Sequence, residues 1–243
     1  MKQIIIIGAT SGIGLATARI YIAKGWRVGV AGRRIEALET LQREAPSQVE
    51  IAQIDITNED APIRLNALIT KLGGMDIYLH CAGVGSQNTA LEPSVEIATA
   101  QTNVTGFIRM VTAAFAHFRA VGGGQIAAIS SIAGTRGLGV APAYSATKRF
   151  QNTYLDALAQ LAHMEHLPIR ITDIRPGFVA TALLRDGNYP MLMQPEKVAA
   201  QIVRAVEKQK RRIVIDRRYA LLVFFWRLLP QGLWERLTVK TKR

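Results

Sequence analysis

Short apolar runs alternate with segments of helical spacing along the first three quarters of the chain. KQIIIIG precedes TSGIGLATARIYIAKG, WRVGVAG precedes RIEALETLQREA, and VEIAQID precedes a helical stretch near 59 to 72. The rhythm continues through MDIYLHCAG, a long helical stretch around 96 to 120, GQIAAISS, a helix from about 142 to 166, and PIRITDIRPG. The apolar runs carry few polar positions, which is the pattern of strands covered on both faces. Right-handed crossovers put the intervening helices on both sides of a parallel sheet. The pattern therefore predicts an α/β chain with a doubly wound parallel sheet.

After Pro176 the rhythm changes. A loop, FVATALLRDGNYPMLMQ, leads to a helix beginning near Pro195, a residue suited to a first helical turn, and then to a short strand over 212 to 215. The last segment, RRYALLVFFWRLLPQGLWERL, is apolar but broken by Arg227 and Pro230. No run reaches the ~20 apolar residues of a membrane span. No repeat, low-complexity stretch or linker divides the chain. A single domain over 1 to 243 is expected, with 182 to 210 as a substrate loop and helix and 211 to 243 as a basic, apolar extension of it.

Composition adds limits. With 243 residues and 49% hydrophobic content the chain can bury one sizeable core. The single cysteine, Cys81, excludes an internal disulfide, and the first strand-like run at Lys2 leaves no space for a leader, so a cytoplasmic protein is expected. The net charge of +12 is uneven. Residues 204 to 243 hold twelve basic and three acidic side chains, against 18 and 15 in the rest. A nearly neutral body with a basic tail does not point to nucleic acid.

Candidate chemistry begins at the turn GATSGIG, where Gly8, Gly12 and Gly14 stand between a strand and a helix, with Thr10, Ser11 and Ile13 among them. Glycines let the backbone approach a pyrophosphate, and the helix N-terminus supplies N–H donors, as in a Rossmann fold. No Gly-Lys-Ser/Thr follows, so this is not a Walker A loop. The second strand ends VAGRR, with Gly32 where NAD-selective sites place an acid; Arg33 and Arg34 can hold a 2′-phosphate, which favours NADP(H) over NAD(H). A solvated arginine pair at a helix start is the competing reading. Asp55, followed by Ile56 in QIDIT, can accept from an adenine amino group or cap the next turn.

Tyr144 and Lys148 lie four residues apart in YSATK and share one helix face. That pair alone is within reach of chance. Taken in order, however, GATSGIG, Asp55, Ala82-Gly83, Asn103 in TNVTG, Ser131 in ISS, YSATK, and Pro176 to Thr181 in PGFVAT resemble the short-chain dehydrogenase/reductase family. The resemblance spans roughly residues 1 to 181. It implies NADP(H)-dependent hydride exchange with a carbonyl or secondary alcohol, without metal, in a homodimer or homotetramer. Tyr144 would be the proton donor or acceptor, its phenol pKa of ~10 lowered by the Lys148 ammonium. Lys148 would also hold the nicotinamide ribose, Ser131 would hydrogen-bond the substrate oxygen, and Asn103 would hold a relay water. Cys81, Ala82 and Gly83 would border the cofactor, and Pro176, Gly177, Val179 and Thr181 would hold its carboxamide end. Ser130 and Ser131 should point in opposite directions, because neighbours on a strand alternate.

Three positions depart from the family pattern: Ile7 stands where threonine is usual, and His80-Cys81 where two asparagines are usual. His80 is read as structural and Cys81 as a small hydrophobe; His117, His163 and His166 show no metal spacing. Leu183, Leu184, Met191, Leu192 and Met193 either line an apolar pocket or pack the loop onto the body. Hydrophobic ketones, aldehydes or 3-oxoacyl compounds are the expected substrates. The tail around LLVFFWRLL admits packing with a solvated basic face, an oligomer surface, or, ranked behind these, contact with an anionic membrane; an acyl carrier protein is a further acidic partner. The alternative to an enzyme is a non-catalytic NADP(H)-binding sensor or scaffold, which would need the glycine turn and arginines but not the Asn, Ser, Tyr, Lys set.

Overall fold

The run QIIII forms a central strand, β1 (Gln3–Ile7), and its four isoleucines divide between two cores. Ile4 and Ile6 face one layer of helices and Ile5 and Ile7 the other, as the two-residue period of a strand requires. All four are essentially inaccessible to solvent, and each such burial contributes about 1.5–3 kcal/mol relative to exposure. A computed structural model describes residues 1–184 and 189–238, so parts of the expected substrate loop and of the tail lie outside the described residues.

Around β1 stand β2 (Arg27–Gly32), β3 (Val49–Gln53), β4 (Ile77–His80), β5 (Gly124–Ile129), β6 (Ile169–Arg175) and β7 (Arg212–Val214). They form one seven-stranded sheet in the order β3-β2-β1-β4-β5-β6-β7, and every pairing is parallel. The helices are α1 (Gly12–Ala23), α2 (Ile35–Glu44), α3 (Ala61–Leu72), α4 (Pro93–Ala100), α5 (Phe107–Val121), α6 (Pro142–Met164), α7 (Pro195–Glu207), α8 (Arg217–Leu228) and α9 (Gln231–Arg236). Ile4 and Ile6 pack with Leu38, Ile202, Val206 and Tyr219, which belong to α2, α7 and α8. Ile5 and Ile7 pack with Leu68, Phe107, Val111 and Leu155, from α3, α5 and α6. The doubly wound parallel architecture is the one the apolar pattern predicts.

One element differs. The helical stretch expected over 96 to 120 is not continuous: α4 and α5 are joined by a π-helical turn, Gln101–Gly106, which contains Asn103. Gly106 lets this turn lie on Ile56, since an added Cβ would come within 2.8 Å of its side chain. A π turn inserts one extra residue per turn and is often found at functional sites.

Candidate active site

The strand order reverses between β1 and β4, and a crevice opens there at the strands' C-terminal ends. Gly8, with φ +89°, packs so tightly on the loop after β4 that a Cβ would stand 2.6 Å from the Ala82 amide. Gly12, with φ +54°, begins α1 and faces Thr181; a Cβ there would meet the threonine methyl at 2.9 Å. Thus the glycine turn, Ala82-Gly83 and Thr181 line one crevice, although they lie far apart in sequence. Ser11 caps α1 without a side-chain bond, and no acid occupies the first turn, so no carboxylate competes for the helix N-terminus. A backbone cradle of this kind suits a pyrophosphate.

At the end of β2, Gly32 sits against Thr10, whose methyl would be 2.6 Å from an added Cβ. Arg34 reaches back to the turn and donates to the Thr10 carbonyl and hydroxyl, both at 3.1 Å. The Arg33 side chain makes no hydrogen bond among the described residues, while its carbonyl accepts from Gln53. Asp55 Oδ1 accepts from the Thr57 amide at 3.0 Å and hydroxyl at 2.7 Å, so the turn-capping role is realised. Burial pushes the Asp55 carboxyl up, but the Thr57 bonds and the nearby Arg33 hold it below its ordinary value. Ile56 is buried beside it.

Tyr144, Ser131 and Lys148 meet at the end of β5. The two serines after that strand diverge as the strand period requires: Ser130 Oγ donates to Asp173 at 2.5 Å, while Ser131 stands beside the Tyr144 hydroxyl, close enough to lower its pKa. Ser131 Oγ also accepts from the Ala133 amide at 3.0 Å, capping a short 3-10 turn, Ile132–Thr135. The Tyr144 phenol stands above its ordinary pKa, because burial outweighs the lowering by Ser131. The lowering expected from Lys148 does not prevail; the ammonium lies 5.8 Å from the ring centroid and turns elsewhere. Lys148 Nζ donates to the Ile129 carbonyl at 3.0 Å and to Gln151 Oε1 at 2.9 Å. Burial brings its pKa down to about 8, against the opposing pull of Asp173.

Asn103 is fully buried, and its side-chain amide serves the backbone. Its Oδ1 accepts from the Val84 amide at 2.9 Å, and its Nδ2 donates to the Val84 carbonyl at 2.7 Å and to Thr147 at 3.1 Å. The link from the Asn103 carbonyl to Lys148 runs through Gln151, whose Nε2 donates to that carbonyl at 2.9 Å. A side-chain amide thus joins the two groups for which the family resemblance implies a water. Sequence reading missed Gln151; its signal was its position three residues after Lys148 on the same helix face. It also missed Asp173, fully buried on β6 and paired with Arg175 at 2.5 Å and with Ser130.

His80 is buried and structural, as expected: Nδ1 bonds the Tyr78 hydroxyl at 2.8 Å, and burial takes its pKa down to about 3, so the ring is neutral. The Cys81 thiol is pushed up to about 12 by burial and is not a nucleophile at neutral pH. Among the described residues no cluster of three His, Cys, Asp or Glu could hold a metal.

Pro176 accepts from the Ile132 amide, and Gly177 lets the Tyr219 ring of α8 lie directly on the backbone. Tyr219 Oη accepts from the Phe178 amide at 3.2 Å and bonds the Pro190 carbonyl at 2.9 Å, tying α8 to both ends of the loop. Val179 pairs with Met193 in an isolated parallel bridge. The five apolar loop residues divide. Met193 joins the core and Met191 packs on it, whereas Leu184 and Leu192 line a cleft of about 620 Å³ with Gly12 and Thr181, and Leu183 is exposed.

A family model described as short chain dehydrogenase matches residues 2–190. An uncharacterized oxidoreductase of Myxococcus xanthus is 31% identical, over 96% of this chain and 95% of that protein. Dehydrogenase/reductase SDR family member 7B of Bos taurus is 29% identical, over 99% of this chain and 81% of its own length. Among solved structures, a short-chain dehydrogenase from Streptomyces avermitilis superposes with a TM-score of 0.82 at 24% identity, covering 93% of this chain and 92% of that one, and so shares the fold. The closed form of serine dehydrogenase complexed with NADP+ superposes with a TM-score of 0.78 at 25% identity, covering 87% and 92%. With the family model matching well over half its length, the chain belongs to the short-chain dehydrogenase family of oxidoreductases, which use a nicotinamide cofactor.

Proposed function

We propose that the protein is an NADP(H)-dependent oxidoreductase that interconverts a hydrophobic carbonyl compound and its alcohol. The convergence of Ser131, Tyr144 and Lys148 at the end of β5, beside the glycine turn, carries this reading. A bound nicotinamide supplies hydride to the carbonyl carbon or accepts it from the alcohol. Tyr144, a neutral phenol at pH 7, gives its proton to the carbonyl oxygen as hydride arrives; in the reverse direction it takes the proton back. Ser131 receives the Ala133 N–H on its oxygen and donates only a long bond, 3.5 Å, to the Pro176 carbonyl, a proton it would turn onto the charge developing on the substrate oxygen. Two of the three Lys148 protons go to Ile129 and Gln151, leaving one for a ribose hydroxyl. Asn103 acts one step away: it holds the Val84 backbone over this cluster and reaches Lys148 through Gln151.

Three features support the phosphorylated cofactor: Gly32 in place of an acid, Arg34 anchored on the glycine turn, and the uncommitted Arg33 guanidinium. The serine dehydrogenase neighbour carrying NADP+ agrees with it. The Gly8, Thr10, Ser11, Gly12, Ile13 and Gly14 turn would hold the pyrophosphate; Asp55, Ile56, Cys81, Ala82 and Gly83 would border the adenosine and ribose. Pro176, Gly177, Val179 and Thr181 would hold the carboxamide end.

The test follows NADPH absorbance across a panel of ketones, aldehydes and 3-oxoacyl thioesters. Tyr144→Phe should lower kcat at least 100-fold while retaining NADPH binding; unchanged turnover would overturn the mechanism. NADPH binding without turnover of any substrate would favour a sensor. Arg33→Ala should weaken NADPH binding at least tenfold and NADH binding little, measured by fluorescence titration; equal effects would remove the arginine from 2′-phosphate recognition.

A further inference from the structure

Packing accounts for only one side of α8. Tyr219 and Val223 are buried and Trp226 is partly covered, at helical spacing, against the body. On the opposite side Leu221, Phe224, Phe225 and Leu228 are between 58% and 66% exposed, and Leu233 and Leu237 extend the patch onto and beyond α9. A helix apolar all round is normally enclosed, and an exposed apolar patch of this kind marks an interaction surface.

The patch is held outward. Arg136 donates to the Trp226 carbonyl at 3.3 Å, the Arg227 carbonyl at 3.0 Å and the Leu229 carbonyl, and Trp234 donates to the Gly137 carbonyl at 2.8 Å. Turning the phenylalanines inward would break this latch and uncover Tyr219.

Charge identifies the occupant. Arg217 precedes Leu221 by one turn, Arg227 follows Phe224 by three residues, and Arg236 lies one residue before Leu237. None of these three guanidiniums has an ion-pair partner among the described residues; Arg218 alone on α8 is paired, with Asp216. The chain continues with Lys240, Lys242 and Arg243, so residues 217 to 243 hold seven basic side chains against one acidic, half of the net charge of +12. A second copy docked here about a two-fold axis would bring one basic rim against another. An anionic bilayer accepts both features, because it offers hydrocarbon to the apolar ridge and headgroup charge to the arginines.

We infer that α8 and α9 form an interfacial anchor that seats the protein on an anionic membrane surface, with the Phe224-Phe225 ridge entering the acyl boundary and the arginine rim contacting lipid phosphates. This inference rests on the surface alone and does not depend on the reaction proposed above. The latch ties the anchor to the loop that follows Ser131, so docking also brings the active-site end of the sheet near the bilayer.

The full-length protein should float with phosphatidylcholine vesicles containing phosphatidylglycerol at low salt, at least tenfold more than with pure phosphatidylcholine, and release at high salt. Phe224→Glu/Phe225→Glu should reduce flotation at least tenfold with an unchanged circular dichroism spectrum and urea midpoint. Arg217→Gln/Arg227→Gln should weaken binding and flatten its salt dependence. Absence of flotation on anionic vesicles at low salt would overturn the inference, as would flotation indifferent to both double substitutions. A halved mass for Phe224→Glu/Phe225→Glu by light scattering, without vesicle binding by the wild type, would make the face a contact between copies and overturn it equally.

Discussion

Lys148 is a buried ammonium whose polar partners are two oxygens and whose field includes Asp173. Its folded pKa of about 8 lies below the unfolded value of about 10.4. Between those values the unfolded chain keeps a proton that the folded chain has released, so stability rises with pH across the window. The rise attributable to this lysine is at most about 3 kcal/mol, from about 2.4 pKa units at 1.36 kcal/mol each. Lys148→Met removes the titrating group, and urea unfolding of both proteins from pH 7 to 10.5 isolates it. The wild type should gain on the variant as pH rises; parallel curves would mean that burial does not lower the lysine pKa and that the folded chain keeps the charge as long as the unfolded one. His80 follows the same sign at lower pH, since its folded pKa of about 3 lies below that of free histidine.

The junction of α4 and α5 shows how an element can be shaped by one side chain. By apolar spacing, 96 to 120 reads as one helix, and the π turn that divides it carries no composition signal. The turn is held by tertiary bonds, chiefly the two between Asn103 and Val84, a partner 19 residues away that periodicity does not reveal. Asn103→Leu preserves side-chain volume but leaves the Val84 N–H and carbonyl unpaired beside the core. An unfolding loss of about 3 kcal/mol is expected from two unsatisfied groups, together with a fall in turnover as the Gly83-Val84 backbone shifts from Lys148. Urea denaturation and steady-state kinetics check both; loss of activity without loss of stability would assign Asn103 a direct chemical role. The elements that were legible draw on local signals. β1 shows in its unbroken isoleucines, α7 in its first-turn proline, and the Tyr144–Lys148 face in its four-residue spacing. The Gln151 bridge and the Asp173 contacts were half legible: Lys148 and Arg175 stand three and two residues away on the same elements, but Asn103 and Ser130 come from other elements and only the fold brings them together. The lowering of the tyrosine pKa by lysine failed for a related reason: spacing put the two residues on one face, but burial and the Lys148 partners decided the electrostatics.

For the whole molecule, the question is whether residues 211 to 243 are part of one cooperative unit or an appendage carrying the anchor. β7 extends the sheet beside β6, the Tyr219 ring fills the space that Gly177 leaves, and its hydroxyl holds the loop at Phe178 and Pro190. Trp234 of α9 lies edge-on to Trp226 at 5.6 Å and bonds Gly137, so α9 closes over α8. Two truncations separate these layers. A chain ending at Leu229 loses Trp234 and one side of the Arg136 latch, and should be weaker by about 3 kcal/mol, the cost of removing one large buried side chain. A chain ending at Asp216 also loses Tyr219 and Val223 and uncovers the backbone at Gly177. That further loss, about 4–5 kcal/mol, approaches the 5–15 kcal/mol total of an ordinary domain, so this chain should unfold at low urea or not fold. Both should show a single transition if the tail and sheet unfold together. An unchanged midpoint for the shorter chain would mean that α8 rests on the fold without supporting it. Because the ridge and basic rim leave with α8, vesicle binding should disappear with the same truncation that removes stability, whereas Phe224→Glu/Phe225→Glu should remove vesicle binding alone. That separation follows from the two-sided helix, which spends Tyr219, Val223 and Trp226 on the fold and leaves Leu221, Phe224, Phe225 and Leu228 for a partner.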